Sequence, residues 1–341
     1  MDKKTYAIGM IIILVISVVT LYIAWTSINR SGELEKTLNE TSERVNNQIQ
    51  EILPRVPRGY AYAGLSVGYV IEFENGVRFF FPGGSGFSYD YKVLVGDFLK
   101  PDVSFLPIGN YYTMDAEVAA YSASMINPGG VKYIIPTHYG TSSCPMVDKS
   151  AVKFKEELAK YNLPAEVVEF GDGEEKEIMG IKVLCLGRSN WLFESPGGAR
   201  MIVDPAVQYN MSIPEELKDL TQYKKVDLLL LTQAHFDHSS VQDLQRWAKL
   251  YRPMIICPYE LGIYLKEYVD TPILAVNIGA NIGKEAWPRT VFDPEDYKDI
   301  ENLRIWMVSG IHSTSITPAG QAVSVAGQYG GTPGKGYMLN E

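Results

Sequence analysis

The sequence predicts a layered α/β body carried behind an N-terminal membrane segment and a short stalk. Short apolar runs alternate with amphipathic helical stretches from about residue 60 onward, which is the pattern of a layered α/β domain. An uncharged apolar stretch of 19 residues, Ala7 to Trp25, precedes them. The polar clusters that carry chemistry sit just past the ends of apolar strands.

Taken in order, Ala7 to Trp25 is long enough to cross a hydrocarbon core as a helix. The competing reading is a cleaved signal peptide, but the run is long for one and no small-x-small cleavage site follows it. Lys3 and Lys4 adjoin the start of the segment, whereas Arg30 and Lys36 are diluted by Glu33, Glu35 and Glu40, which sets the N-terminus inside and the body outside. The expectation is a single-pass protein, anchored through 1–30 in a lipid bilayer, with an extracytoplasmic globular domain. Residues 31–57 form a polar stalk helix in which Leu34, Leu38, Thr41, Val45, Gln48 and Ile52 recur at steps of four and three, a seam that serves either as a solvated stalk or as a contact with a second copy or a membrane protein complex. Pro54 and Pro57 end that helix and begin the body, 58–341.

Within the body, VGYVIEF and VRFFF around an Asn-Gly pair predict a hairpin, and VSFLPIG and VKYIIPTHYG predict buried strands ending in loops. AEVAAYSASMI and KSAVKFKEELAKY predict helices. A second series follows: strands in IKVLCLG, WLFES, ARMIVDP, VDLLLLT and PMIICP, and a helix in VQDLQRWAKLY. The composition sets limits on function. A net charge of -9 gives no broad basic face for nucleic acid, and three dispersed cysteines, Cys144, Cys185 and Cys257, supply neither a disulfide scaffold nor a CxxC metal knuckle.

The chain has four histidines, and each lies just past a predicted strand. His235, Asp237 and His238 follow the apolar run LLLLT, and alternate side chains on such a loop can converge on one cation. His138 follows IIPT and His312 follows IWMVSGI. The bland alternative makes Asp237 the N-cap of the next helix and the histidines incidental. Asp204, in VDP, reads as a structural residue that orients backbone or a ligand histidine.

At this point the residues resemble a family. TQAHFDH is similar to the THxHxDH signature of the metallo-β-lactamase fold with its first histidine changed to Gln233. The closer resemblance is to metal-dependent hydrolases similar to the ascorbate-6-phosphate lactonases. It rests on LGRSNWLFE (186–194), GARMIVDP (198–205), TQAHFDH (232–238), VSGIHSTS (308–315), VGYVIEF (67–73), PGGSG (82–86), KPDVSFLPIG (100–109), TM (113–114) and IPTHYGT (135–141). The resemblance implies an αββα sandwich whose two halves are circularly permuted, 58–178 matching the family's C-terminal half and 179–341 its N-terminal half. It further implies one metal position at Gln233, His235 and His312 and a second at Asp237, His238 and His138, bridged in the family by an aspartate where this chain has Gly84. With Gly84 and Gln233 as degenerate positions, the resemblance leaves one full set, His138, Asp237 and His238, two histidines and a carboxylate suited to Zn²⁺, Mn²⁺ or Fe²⁺ with Asp237 as ligand or as general base, so one divalent metal, zinc foremost, is expected rather than two. Arg188 replaces a family histidine and is a candidate for binding an anionic substrate group. Two functions stay open on these residues: a metal-dependent hydrolase of esters, lactones or phosphoesters with a reduced site, and a catalytically silent subunit or scaffold that carries no metal.

Overall fold

Two seven-stranded sheets face each other, and the apolar periodicity of their strands explains why. In the computed structural model the described residues are 61–140, 148–187, 189–208, 213–290, 292–316, 323–324 and 338–339. The hairpin is present as β1 (Val67–Glu72) and β2 (Arg78–Phe81), followed by β3 (Val103–Pro107), β4 (Tyr133–Thr137) and β5 (Glu166–Val167). The chain then enters the second sheet through β6 (Glu175–Ile178), β7 (Ile181–Gly187), β8 (Asn190–Glu194), β9 (Arg200–Val203), β10 (Leu228–Leu230), β11 (Met254–Pro258) and β12 (Ile273–Val276). It returns to the first with β13 (Asn281–Ile282) and β14 (Arg304–Ser309). The strand orders are β13-β14-β1-β2-β3-β4-β5 and β12-β11-β10-β9-β8-β7-β6. Strands from both ends of the body thus complete one sheet, with Ile305 opposite Ile71 and Met307 opposite Tyr69.

Alternation assigns each strand residue to a layer. Tyr69 and Ile71 of β1, Ile305 and Met307 of β14, and Leu228 and Leu230 of β10 point into the space between the sheets. Val70, Val308 and Leu229 point outward beneath helices. Helices α1 (Ala116–Ile126) and α2 (Val152–Ala159) cover the first sheet, and α3 (Val241–Tyr251) and α4 (Tyr259–Leu265) cover the second. A π-type helix, Tyr91–Leu99, also packs on the first sheet. The result is a four-layer α/β/β/α sandwich. Aromatic side chains fill its centre: Phe105 lies 5.0 Å from Trp191, 5.4 Å from Phe193 and 5.7 Å from Phe79, centroid to centroid.

One expectation is corrected. Among the described residues no helix is long and apolar enough to cross a membrane. The physical reason is length, since α1 and α3, the longest, have 11 residues, about 16 Å against the roughly 30 Å of a hydrocarbon core. The assignment to a membrane with an extracytoplasmic body is withdrawn on this finding; the segment 7–25 and the stalk 31–57 that carried it lie outside the described residues.

Because Phe105 touches rings of both sheets, Phe105→Ala is expected to lower the stability of the domain by about 3–5 kcal/mol. Urea unfolding of the variant beside the parent measures it, and a loss below about 1 kcal/mol contradicts the inter-sheet packing.

Candidate metal centre

Strand ends from both sheets meet at one edge of the sandwich. Strands β2, β3 and β4 run parallel, as do β9, β10 and β11, so their carboxyl ends and the loops beyond them gather there, where ligands bind in open α/β sheets. His138 follows β4 directly with φ of 59°, and Asp204 follows β9 with φ of 54°. Both residues thus leave their strands through left-handed backbone, which non-glycine residues seldom adopt. Gly109 makes the first of these turns possible, since a Cβ there would stand 2.1 Å from the His138 carbonyl oxygen.

Asp204 is fully buried and organises the second sheet's contribution. Its Oδ1 accepts from the Thr232 N–H at 2.8 Å, and its Oδ2 accepts from the Thr232 hydroxyl at 2.7 Å and from His238 Nδ1 at 2.7 Å. With the Nδ1 proton donated to a carboxylate, the lone pair of Nε2 is the ring's remaining donor and faces the site. The Thr232 carbonyl accepts from the Val67 N–H at 2.8 Å, which ties this loop to β1 of the opposite sheet. Helix α3 is capped by Ser240, whose Oγ accepts from the Asp243 N–H, so Asp237 is not spent as a cap. Asp243 in turn accepts from the Val207 and Gln208 N–H groups at 2.9 and 3.0 Å, which pins the segment after Asp204; burial pushes its carboxyl up to about 6 against those hydrogen bonds.

This scaffold brings His138, Asp237 and His238 together, one donor atom from each lying within 4.8 Å of the others. Asp237 Oδ2 stands 3.9 Å from His138 Nε2 and 3.8 Å from His238 Nε2, and the two imidazoles stack with centroids 5.6 Å apart. His235 and His312 lie with each other instead, centroids 5.0 Å apart and edge to face. Burial pushes the His235 imidazole down to about 4, with Asp237 pulling the other way and His312 and His238 adding to the fall. Burial lowers His312 as well, and its Nδ1 donates to the Ser313 carbonyl at 2.7 Å. Gln233 is buried beside Gly84: a Cβ on Gly84 would stand 3.0 Å from Gln233 Nε2 and 3.1 Å from His238 Nε2. The close approach of these two side chains makes position 84 tight for anything larger than glycine. Arg188 lies outside the described residues. Sequence reasoning did not find Thr232 or Asn190, whose side-chain amide donates to the Asp237 carbonyl at 3.3 Å and also to the Asp204 carbonyl. Their only sequence signal is position at a strand edge next to a site residue.

The fold and this edge define a class. Residues 182–325 match the beta-lactamase superfamily domain. A UPF0173 metal-dependent hydrolase of Korarchaeum cryptofilum is 30% identical over 162 residues, 48% of this chain and 69% of that protein. Another, from Cupriavidus metallidurans, is 40% identical over 108 residues, 31% of this chain and 35% of the relative, and one from Roseiflexus castenholzii is 33% identical over 111 residues, 33% and 43% of the two chains. The chain belongs to the UPF0173 metal-dependent hydrolase family. It spans about half the length of several of the curated relatives it matches, 43% of one and 58% of another.

A divalent metal, which the family implies, fits the residues present. Two imidazole nitrogens and a carboxylate are borderline donors suited to such an ion, and the proton on His238 Nδ1 is held by a buried carboxylate, the arrangement that fixes a metal-binding histidine. Replacing Asp204 by asparagine preserves a residue at ease in left-handed backbone but removes the charge that holds His238. Asp204→Asn is expected to weaken zinc binding about 10- to 100-fold, measured by competition with a chromophoric chelator. Unchanged affinity contradicts the orienting role.

Proposed function

We propose that this chain is a hydrolase of an ester, lactone or phosphoester, built on a single divalent metal, zinc foremost and manganese or iron otherwise, held by His138, Asp237 and His238. The observation that carries this reading is the convergence of those three donors within 4.8 Å, contributed by both sheets. When bound, such an ion supplies Lewis acidity and brings the pKa of a water toward neutrality. The protein's own groups do the rest. Asp204 and Thr232 fix His238 before substrate arrives. Asp237, whose Oδ2 lies between the two histidines as the ligand atom and whose side chain is 13% exposed, uses its second carboxylate oxygen to take the proton of the attacking water and return it to the leaving group. Arg188 is assigned to an anionic part of the substrate. His235 and His312, whose rings meet edge to face, are not part of that donor set.

The circular permutation belongs to the same proposal. In its support, the superfamily match covers 182–325, while strands before and after that junction share one sheet. The alternative function, a silent member of the fold, draws on Gly84 and Gln233, where the bridging carboxylate is missing and a side chain at position 84 would press on Gln233 and His238.

Elemental analysis of full-length protein purified without added metal is expected to give about one equivalent per chain, and His238→Ala is expected to remove it. A parent protein without metal sinks the enzymatic reading. Residues 58–341 alone are expected to run as a compact monomer in light scattering; an interlocked dimer would favour a swapped duplication over permutation.

A further inference from the structure

Gln233 is the most deeply buried polar group of the site without an explanation in the fold. It is 1% exposed, and among the described residues neither its Nε2 nor its Oε1 has a hydrogen-bond partner. Its backbone is well used, since the carbonyl accepts from the Ser239 hydroxyl at 2.7 Å, so the residue is held firmly while its amide is left unsatisfied. A buried amide in that state opposes folding, and an apolar side chain of similar size would not. The packing also aims the amide. Gln233 Nε2 and the metal-facing Nε2 of His238 lie at 3.0 and 3.1 Å from one point, the position of a Cβ that Gly84 lacks. What this corner binds is therefore what satisfies the amide.

We propose that Gln233 is the fourth protein contact of the metal site, its amide oxygen binding the cation held by His138, Asp237 and His238. The proposal rests on the metal-site reading above. An amide oxygen is a hard, neutral donor of the kind that binds divalent cations alongside carboxylates. The two ends of the amide interchange by a half-turn of the side chain, so a cation at this corner draws the oxygen toward itself and leaves the N–H groups for a substrate or water oxygen. The donor set becomes two nitrogens and two oxygens. Gln233 is then a ligand in its own right rather than the remnant of one, and the unsatisfied amide of the metal-free fold is the cost of keeping it ready.

The test uses the full chain stripped with a chelator and titrated with Co²⁺, whose visible absorption reports coordination. For Gln233→Leu, Co²⁺ affinity is expected to fall at least about tenfold with a changed absorption band, while the melting temperature of the metal-free variant rises by about 2–6 °C because the unsatisfied amide is gone. Gln233→Glu, which keeps the shape and adds charge, is expected to bind Co²⁺ about tenfold more tightly than the parent. Parent-like affinity and spectrum in either variant overturn the proposal, as does a metal-free Gln233→Leu variant less stable than the parent. Should Gln233→Leu fail to fold, the amide is structural and the proposal falls unless Gln233→Glu tightens binding. A parent chain that takes up no Co²⁺ defeats the metal-site reading itself, whereas a parent that binds and loses the ion on His238→Ala, beside an indifferent Gln233→Leu, defeats this inference alone.

Discussion

The buried carboxylate of Asp204 is the interaction on which the site depends. It accepts three hydrogen bonds, two from Thr232 and one from His238, and its own N–H donates to the Leu230 carbonyl at 2.9 Å. Strand β9, strand β10 and the loop beyond β10 are therefore joined at one point with no exposure to water. In that environment a carboxylate with three donors is strongly held, and the loss of any one of them leaves charge unsatisfied. The Thr232 carbonyl extends the connection to Val67 in the opposite sheet, so the position of His238 relative to His138 is set by the sandwich as a whole.

The remaining constraints follow from bringing two sheets' strand ends to one place. His138 and Asp204 each leave their strand through left-handed backbone, a conformation that costs about 1 kcal/mol or more for a non-glycine residue. The aromatic layer around Phe105, Trp191 and Phe193 offsets such costs and keeps the sheets in register. Gly84 and Gly109 are then matters of space. At Gly109 a side chain would collide with the His138 carbonyl oxygen, and at Gly84 it would press on the Gln233 and His238 side chains.

Much of this was legible in the sequence, for definite reasons. Helix α1 spans the segment that periodicity marks, and the hairpin of β1 and β2 follows from its Asn-Gly turn. His138, Asp237 and His238 were readable because each lies in a loop just past an apolar strand and because those loops resemble the ligand motifs of a metal-dependent hydrolase family. What was not readable lay in directions that spacing does not encode. The buried hydrogen bonds of Asp204 to Thr232 and His238, and of Asn190 to the Asp204 and Asp237 carbonyls, are of this kind, whereas the pairing of His235 with His312 follows the separate grouping that the family resemblance implies. The π-type helix at Tyr91–Leu99 was missed because YKVLVGDFL carries no regular helical or strand period. Gln233 reads in sequence as a weakened ligand; its burial without a partner is visible only in three dimensions.

The central claim is that one ion is held by groups from both sheets. X-ray absorption at the metal edge of protein loaded with one equivalent of zinc tests it most directly. The expected result is a shell of nitrogen and oxygen at about 2.0–2.2 Å with outer-shell scattering from two imidazoles and no second metal. A shell containing sulfur, one without imidazole scattering, or a metal neighbour at about 3.5–4 Å would contradict it.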